Sequence, residues 1–419
     1  MLVFKFGGAS VKDAAGIANL ALIVKKHTAE PLLIVVSAMG KTTNALEDLT
    51  RAYVNQQDNV HQLYDGIKQY HYQVLHELFD DSHPVFDEVS NTFVEIDWML
   101  EDEPHDSYDF IYDQIVSIGE LLSSRIVNAY LVHMGQPSRW LDVRGYIHTD
   151  NNYREGLVDW NKTCARIQKH LPALLENSII VTQGFLGGTS ENFTTTLGRE
   201  GSDYTASIFA ACLNAQSVTT WKDVPGILNA DPKLFTDTVK FDELSYTEAI
   251  EMTYYGASVI HPKTIKPLYN AGIPLLVKSF NDPDAAGTKI SQTGKTQFDK
   301  AVIIIKQNQV LLSVSAKDYS FVSESQMSQI YSLFAKNHVK INVLQTSALS
   351  LSVCIDWVEE RFEKLLLELR ENFNVKYNSR LSLITLRHYQ YSLLKDLVDG
   401  KIVLLEQISR NTAQVVVAG

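Results

Sequence analysis

Residues 194–206 read TTTLGREGSDYTA, and the chain opens through Lys5-Phe6-Gly7-Gly8. These two stretches hold the side chains best suited to chemistry. Hydroxyls and glycines ahead of a helix start leave unpaired backbone N–H groups aimed at one place. The positive end of the helix dipole adds to them, which makes an anion site. Arg199 contributes a planar fork matched to a carboxylate or phosphate. Ser202 opens an apolar run that reads as the helix, and Asp203 puts a carboxylate inside the cationic pocket, where it could aim a lysine or hold a magnesium ion. Lys5 closes a short apolar strand just before the small-residue turn Gly7-Gly8-Ala9-Ser10. An ammonium buried there is costly unless it meets an anion, the alternative being an edge residue that points to water. Strand, glycine turn and helix together form the general phosphate cradle.

Positioning these groups requires a scaffold that alternates. Apolar runs at 2–6, 32–36, 139–142, 179–182, 217–221 and 273–277 predict strands, with a further one at 256–260. Helical spacing is found at 14–27 and 204–213. It recurs at 244–254, where Ser245 and Glu248 form a capping box. Residues 37–44, SAMGKTTN, follow a strand and place the hydroxyls of Ser37, Thr42 and Thr43, with Asn44, at its carboxyl end, well placed for ligand contact. Gly40-Lys41-Thr42 is not a P-loop, because the glycine needed five residues earlier is Val35. The turn GFLGG at 184–188 likewise lacks the dinucleotide spacing. Residues 55–131 are largely helical, and His71, His76, His83 and His105 never recur at i, i+3 or i+4, so half-buried or solvated side chains fit them better than a metal site. Within this region Glu120 near a helix start suits the dipole whether or not it has a function. The alternation over 2–290 predicts a doubly wound α/β domain with a mainly parallel sheet.

Residues 291–300 are polar and unpatterned, as in a linker. Beyond them the rhythm changes. Strands at 302–305, 309–315, 342–346 and 351–355 with helices at 325–336 and 360–372 give a βαββα module of ferredoxin-like type. A strand at 381–386, a helix at 393–398 and strands at 402–405 and 414–417 repeat the unit in shortened form, and residues 302–305 are expected to supply its missing strand.

At 419 residues the chain should divide into about two or three domains. A net charge of −12 offers no basic stripe for nucleic acid. Cys164, Cys212 and Cys354 have no ligand spacing and read as buried thiols of a reducing cytoplasm. No run approaches the roughly 20 apolar residues of a membrane span, and MLVFKFGG reads as a strand rather than a leader. A cytoplasmic protein without membrane or nucleic-acid partners is expected.

The stretches KFGGAS, GFLGG, TTTLGREGSDYTA, WKDVPGILNADPK and GASVIHPKT, in this order, resemble the signature segments of aspartate kinases, and the likeness covers essentially the whole chain. The resemblance implies an amino-acid kinase αβα sandwich over 1–292. It further implies a regulatory pair of ACT domains over 300–419, the first about 308–379, the second about 380–419 completed by strand 301–306. It implies transfer of the ATP γ-phosphate to the β-carboxylate of aspartate, with ATP and Mg2+, no dedicated protein metal site, feedback by an amino acid, and a homodimer or higher homo-oligomer. Lys5 and Asp203 would be catalytic, with Asp203 organising Lys5. Thr43, Glu120, Arg199 and Ser202 would hold aspartate. Lys5, Gly7, Gly8, Ser10, Lys222, Asp223 and Lys233 would line ATP. Ser323, Gln326, Met327, Asn342 and Ser347 are the candidate effector contacts.

Several positions depart from the family pattern. Ala9 stands for a threonine, Glu200 for a glycine, Lys222 for a threonine, Leu228 for a tyrosine, Lys233 for an arginine and Ser258 for a lysine whose charge Lys263 could replace. They bear on nucleotide contacts more than on the reaction. Asn342 replaces an aspartate of some lysine-sensing members, which leaves the effector open among amino acids. A kinase for another amino acid, or a catalytically weak effector-binding protein of the same fold, are the alternatives. With the sequence ending at Gly419, a fused homoserine dehydrogenase is not expected.

Overall fold

The computed structural model describes residues 1–257, 260–295, 300–318 and 320–419. Ser258 and part of the linker at 291–300 lie outside these residues. The chain divides into two units, one of Met1–Ile227, Lys240–Ile250 and Val259–Thr296, the other of Leu228–Val239, Glu251–Ser258 and Gln297–Gly419.

In the first unit β1 (Leu2–Phe6) leads through a 3-10 turn into α1 (Ala14–Lys25), whose N-terminus is capped by Asp13. There follow β2 (Leu32–Val36), α2 (Thr42–Val54), α3 (Val60–Leu78), α4 (Val85–Glu101), α5 (Tyr108–Val116), α6 (Ile118–His133), β3 (Ser138–Leu141), α7 (Trp160–Leu175) and β4 (Ile179–Gln183). The short β5 (Leu186–Gly188) and β6 (Thr194–Thr196) pair with each other, before α8 (Gly201–Leu213), β7 (Ser217–Lys222), β8 (Glu243–Ser245), α9 (Tyr246–Tyr255), α10 (Pro262–Ala271), β9 (Leu275–Ser279) and β10 (Thr288–Ser291). The order β3-β4-β2-β1-β7-β9-β10-β8 is parallel except between β9 and β10. Strand order reverses at β1, so a crevice is expected beyond the carboxyl ends of β1, β2 and β7. β2 is buried throughout, as an unbroken apolar run between helical layers must be. Phe4, Phe6 and Trp221 tie β1 to β7, with Phe6 stacked on Trp221 at 6.1 Å.

Four expectations need correction here. Gly256, Ala257 and Ile260 are not in a strand, the other two residues of that stretch lying outside the described ones. The cysteines are not three thiols: Cys164 on α7 and Cys212 on α8 form a disulfide across 48 residues, since helix packing joins positions that sequence spacing could not relate. Cys354 is free and buried, its thiol pushed up to about 12 by burial. Residues Tyr108–His133 are long and apolar enough by composition to cross a membrane, but 72% of that window is buried within the protein, as in a core helix. Finally, His71, expected to be half-buried or solvated, is instead fully buried among the helices, with Nδ1 2.8 Å from the Ile67 carbonyl, and burial lowers it to about 4, so it is a neutral core residue.

The second unit holds β11 (Val302–Ala316), α11 (Glu324–Lys336), β12 (Ile341–Thr346), β13 (Ser350–Asp356), α12 (Glu359–Asn372), β14 (Phe373–Arg387), α13 (Tyr391–Val398), β15 (Ile402–Ile408) and β16 (Thr412–Ala418). They form one antiparallel sheet in the order β12-β13-β11-β14-β16-β15. The two strands expected at 302–305 and 309–315 are a single strand. The polar Lys306-Gln307-Asn308-Gln309 interval is a register shift, with Asn308 left-handed at φ 54°, and such a bulge bends a ladder without ending it. Val302–Lys306 pairs with Leu383–Arg387, and Leu311–Ala316 with Phe373–Asn378. Helices α11 and α12 cover one apolar cluster built on Val310, Leu312 and Val314, whereas Ile384, Leu386, Leu394 and Val415 form another.

Candidate active site

Lys5 sits in the middle of the sheet, paired in register with Val35 on one side and Thr220 on the other. Its Nζ lies 3.2 Å from Asp203 Oδ1, and both side chains are buried. Thr220 donates to the same oxygen at 3.4 Å. Burial works against the Asp203 carboxylate, but the ammoniums of Lys5 and Lys222, with the bonds from Lys5 and Thr220, hold it below the usual range. The 3-10 turn Gly8–Val11 follows, with buried Ser10 donating to the Trp221 carbonyl at 3.4 Å. Gly8 has no room for a side chain, since a Cβ there would stand 2.6 Å from the Ala38 carbonyl oxygen. The loops after β1 and β2 therefore touch along their backbones, and the Gly40 N–H donates to the Gly8 carbonyl at 3.0 Å.

Glu120 occupies the first turn of α6 and is buried. Its Oε1 accepts the Ala38 N–H at 3.2 Å, and its Oε2 has no hydrogen-bond partner among the described residues. Burial pushes it up to about 8, opposed by the Ala38 and its own N–H and by the Lys5 ammonium. A buried carboxyl with an unused oxygen can receive a cationic group, whose charge would favour its ionised form.

Ser202 and Asp203 begin α8. The turn after β4 presses against them so closely that a Cβ on Gly184 would meet the Ser202 Cβ at 2.4 Å. Glu200 stands left-handed at φ 54° ahead of the helix, the conformation that makes glycine the easier residue there, and its Oε2 is buried without a partner among the described residues. Arg199 is exposed, with no ion pair among the described residues, so its fork is available. Thr43 is half-buried in the first turn of α2. Lys222 ends β7 and Asp223 follows it exposed, whereas Lys233 belongs to the second unit.

Thr220 and Asp113 were missed by sequence reasoning, whereas Thr42 is one of the hydroxyls it placed at the end of β2. Thr42 is buried next to Thr43, its Oγ1 without a partner among the described residues. Thr220 steadies Asp203. Asp113 on α5 is buried and accepts from the Thr196 N–H at 2.9 Å, the Thr196 hydroxyl at 2.7 Å and the Arg154 N–H at 2.8 Å. It thereby anchors the strand that delivers the GREGSD turn, and burial raises it to about 6 against those bonds. Its partner lies 83 residues away, so no local pattern marks it.

Of the effector candidates, Ser323 and Gln326 form the capping box of α11. Met327 lines a shallow groove with Tyr331 and Ala335. Ser347 is taken up in a turn with Ser350. Asn342 donates to Gln309 at 2.8 Å and to Asp356 at 3.1 Å, and accepts from Lys306 at 3.0 Å.

A family model described as the amino acid kinase family matches residues 1–279. Aspartokinase 2, chloroplastic, of Arabidopsis thaliana is 30% identical over 412 residues, covering 92% of this chain and 73% of that protein. The chain belongs to the amino acid kinase family and, within it, to the aspartokinases. The lysine-sensitive aspartokinase 3 of Escherichia coli is 29% identical over 393 residues, covering 92% of this chain and 86% of that one. The crystal structure of E. coli aspartokinase III in complex with aspartate and ADP superposes with a TM-score of 0.85 at 26% identity, covering 100% of this chain and 96% of that chain. The same enzyme in complex with lysine and aspartate gives 0.82. Family membership accounts for both sheets, the parallel one and the antiparallel one that follows it.

Proposed function

We propose that this aspartokinase transfers the ATP γ-phosphate to the β-carboxylate of L-aspartate, giving 4-phospho-L-aspartate, under feedback control by an amino acid. The observation that carries the reading is the buried line Glu120, Lys5, Asp203 at the carboxyl ends of parallel strands, with acceptor oxygens left open. The nucleophile is an ionised carboxylate, so no strong base is required. Catalysis is positioning and neutralisation of charge on the transferred group. Lys5 lies against the transferred phosphoryl oxygens, aimed by Asp203. Gly7, Gly8 and Ser10 offer backbone and hydroxyl donors to the phosphates, and Lys222, Asp223 and Lys233 line the nucleotide. Arg199 takes the aspartate carboxylate with Ser202 and Thr43, and Glu120 receives its ammonium.

No group of three or more His, Cys, Asp or Glu side chains suited to a metal occurs among the described residues. Magnesium fits as an ion carried by the phosphates, since it keeps waters and takes one or two carboxylates. Asp203, held ionised, is the residue that would face it, and the ion would neutralise phosphate charge. Residues 300–419 serve as the regulatory ACT pair, the protein works in the cytoplasm, and it assembles as a homo-oligomer.

Glu200 favours a second reading, a weak catalyst kept for effector binding, because it sets a carboxylate beside the anion site. One assay separates them: ADP release followed with aspartate, glutamate and N-acetylglutamate. Turnover with aspartate alone supports the proposal, turnover with another acid redirects it, and none with any acid, alongside calorimetric binding of lysine, threonine or methionine to the full chain, favours the second reading.

A further inference from the structure

β6 runs straight into the turn that carries Arg199. Only Leu197 and Gly198 separate Thr196 from Arg199, with Gly198 left-handed at φ 74° and its carbonyl accepting the Gly201 N–H at 3.0 Å. Every polar group of Thr196 is taken. Its N–H donates to Asp113 Oδ2 at 2.9 Å and its hydroxyl to Asp113 Oδ1 at 2.7 Å, while its carbonyl accepts the Gly156 N–H at 2.8 Å. Asp113 Oδ2 also accepts the Arg154 N–H at 2.8 Å. One carboxylate on α5 therefore holds the strand and the neighbouring segment 150–158 together.

Arg154 stands left-handed at φ 67°, a conformation that a residue with a side chain keeps where its surroundings fix it. The bond to Asp113 fixes its backbone. Its guanidinium lies 3.3 Å from Asp109 and over the Tyr112 ring at 4.4 Å, both on α5. A Cβ on Gly198 would stand 3.3 Å from the Arg154 carbonyl oxygen, so the Arg154 backbone closes on the turn just ahead of Arg199. Two routes thus run from Asp113 to that turn, one along β6 and one through Arg154. The same helical run carries Glu120. α5 and α6 meet at Ser117, whose own backbone is helical at φ −57° and ψ −27°. Asp113 and Glu120 are therefore roughly two turns apart on one continuous piece, and both are buried.

We propose that Asp113 is a positioning residue for the acid substrate: by gripping Thr196 and Arg154 it holds the Arg199 turn at a fixed span from Glu120. The proposal rests on the reading of Glu120 and Arg199 as the contacts for the ammonium and a carboxylate of aspartate. The helical run that places the one also anchors the other, so their separation is set by a rigid element rather than by a loop. All of these residues belong to the first unit. The bonds of Asp113 go to β6 and to segment 150–158, whereas Gly7, Gly8 and Ser10, assigned to the phosphates, follow β1. Affinity for aspartate should depend on Asp113, and affinity for ATP should not.

The test uses the full chain, with steady-state kinetics and thermal unfolding of Asp113→Ala, Asp113→Asn, Thr196→Val and Arg199→Lys. Asp113→Ala removes all three bonds. KM for aspartate should rise about ten-fold or more there, with kcat and KM for ATP within about two-fold. Asp113→Asn keeps the shape: its carbonyl oxygen can accept both N–H groups, and its amide can donate to the Thr196 hydroxyl. It should therefore restore KM for aspartate to within about two-fold of the unaltered protein. Thr196→Val drops a single donor and should raise KM for aspartate about four-fold, which decides the matter even where the alanine variant folds poorly. A lowered Tm with KM for aspartate unmoved in Thr196→Val and in a folded Asp113→Ala would leave Asp113 merely structural and overturn the proposal. A loss in Asp113→Asn equal to that in Asp113→Ala would trace the effect to charge, not grip, and overturn it as well. Arg199→Lys keeps the two readings apart. If KM for aspartate is unmoved there, Arg199 is not an aspartate contact; if it rises there but in neither Asp113→Ala nor Thr196→Val, the grip fails.

Discussion

Both units gather charged and polar groups into networks, but they complete them differently. In the second unit Lys306, Gln309, Asn342 and Asp356 form a closed set: Lys306 Nζ reaches Asp356 at 3.5 Å, Gln309 Nε2 donates to Asp356 at 2.8 Å, and Asn342 bridges the remaining atoms. Desolvation opposes the Asp356 carboxylate, and the bonds from Gln309, Lys306 and Asn342 outweigh it. In the first unit the line of Glu120, Lys5 and Asp203 is open at Glu120 Oε2, with Thr42 Oγ1 and Glu200 Oε2 also without a partner among the described residues. A buried polar atom left open costs stability, and at a binding site a ligand can offset that cost. The closed set holds structure, and the open line is where a substrate would complete it.

The comparison breaks first at Lys5. Lys5→Ala should lower kcat by about 10^3-fold or more while thermal unfolding still shows a folded protein, because the lost charge acts on the transition state. A change confined to KM for ATP would make Lys5 a binding residue only. Glu120 comes next. With its carboxyl raised to about 8, kcat/KM for aspartate should climb with pH through an apparent value near 8, as the ionised form becomes available to the ammonium. Glu120→Gln should lose that limb and about 10^2-fold in kcat/KM. The stability effect has the opposite sense. A raised carboxyl favours the folded state fully below its unfolded value, and this advantage is lost as pH rises through about 8. The Tm of Glu120→Gln should therefore fall less over that interval.

Arg199→Lys keeps the charge but not the fork. KM for aspartate should rise about ten-fold while KM for ATP barely moves, and equal changes in both would assign Arg199 to the nucleotide. The smallest effect on turnover is expected in the closed network. Asn342→Ala should cost about 1–3 kcal/mol of stability by denaturant titration, since it strips partners from Lys306, Gln309 and Asp356. Turnover without added amino acid should stay unchanged. A loss of turnover there would make that network part of the catalytic apparatus and dissolve the contrast.

Strands β1, β2, β4 and β7, the helix of the GREGSD segment and the cap of α9 by Ser245 follow from local pattern, because period, turn chemistry and capping act within a few residues. So does the rejection of a P-loop. The pairing of Lys5 with Asp203, 198 positions on, rests on a motif in each segment, and sequence alone brought them together only through resemblance. The tertiary structure decided the rest. It placed Asp113 under Thr196, raised Glu120 by burying it, joined Cys164 to Cys212 and ran β11 through its polar bulge. Each depends on groups far apart in the chain meeting in a low-dielectric interior, and neither burial nor a distant partner leaves a periodic trace in the residues themselves.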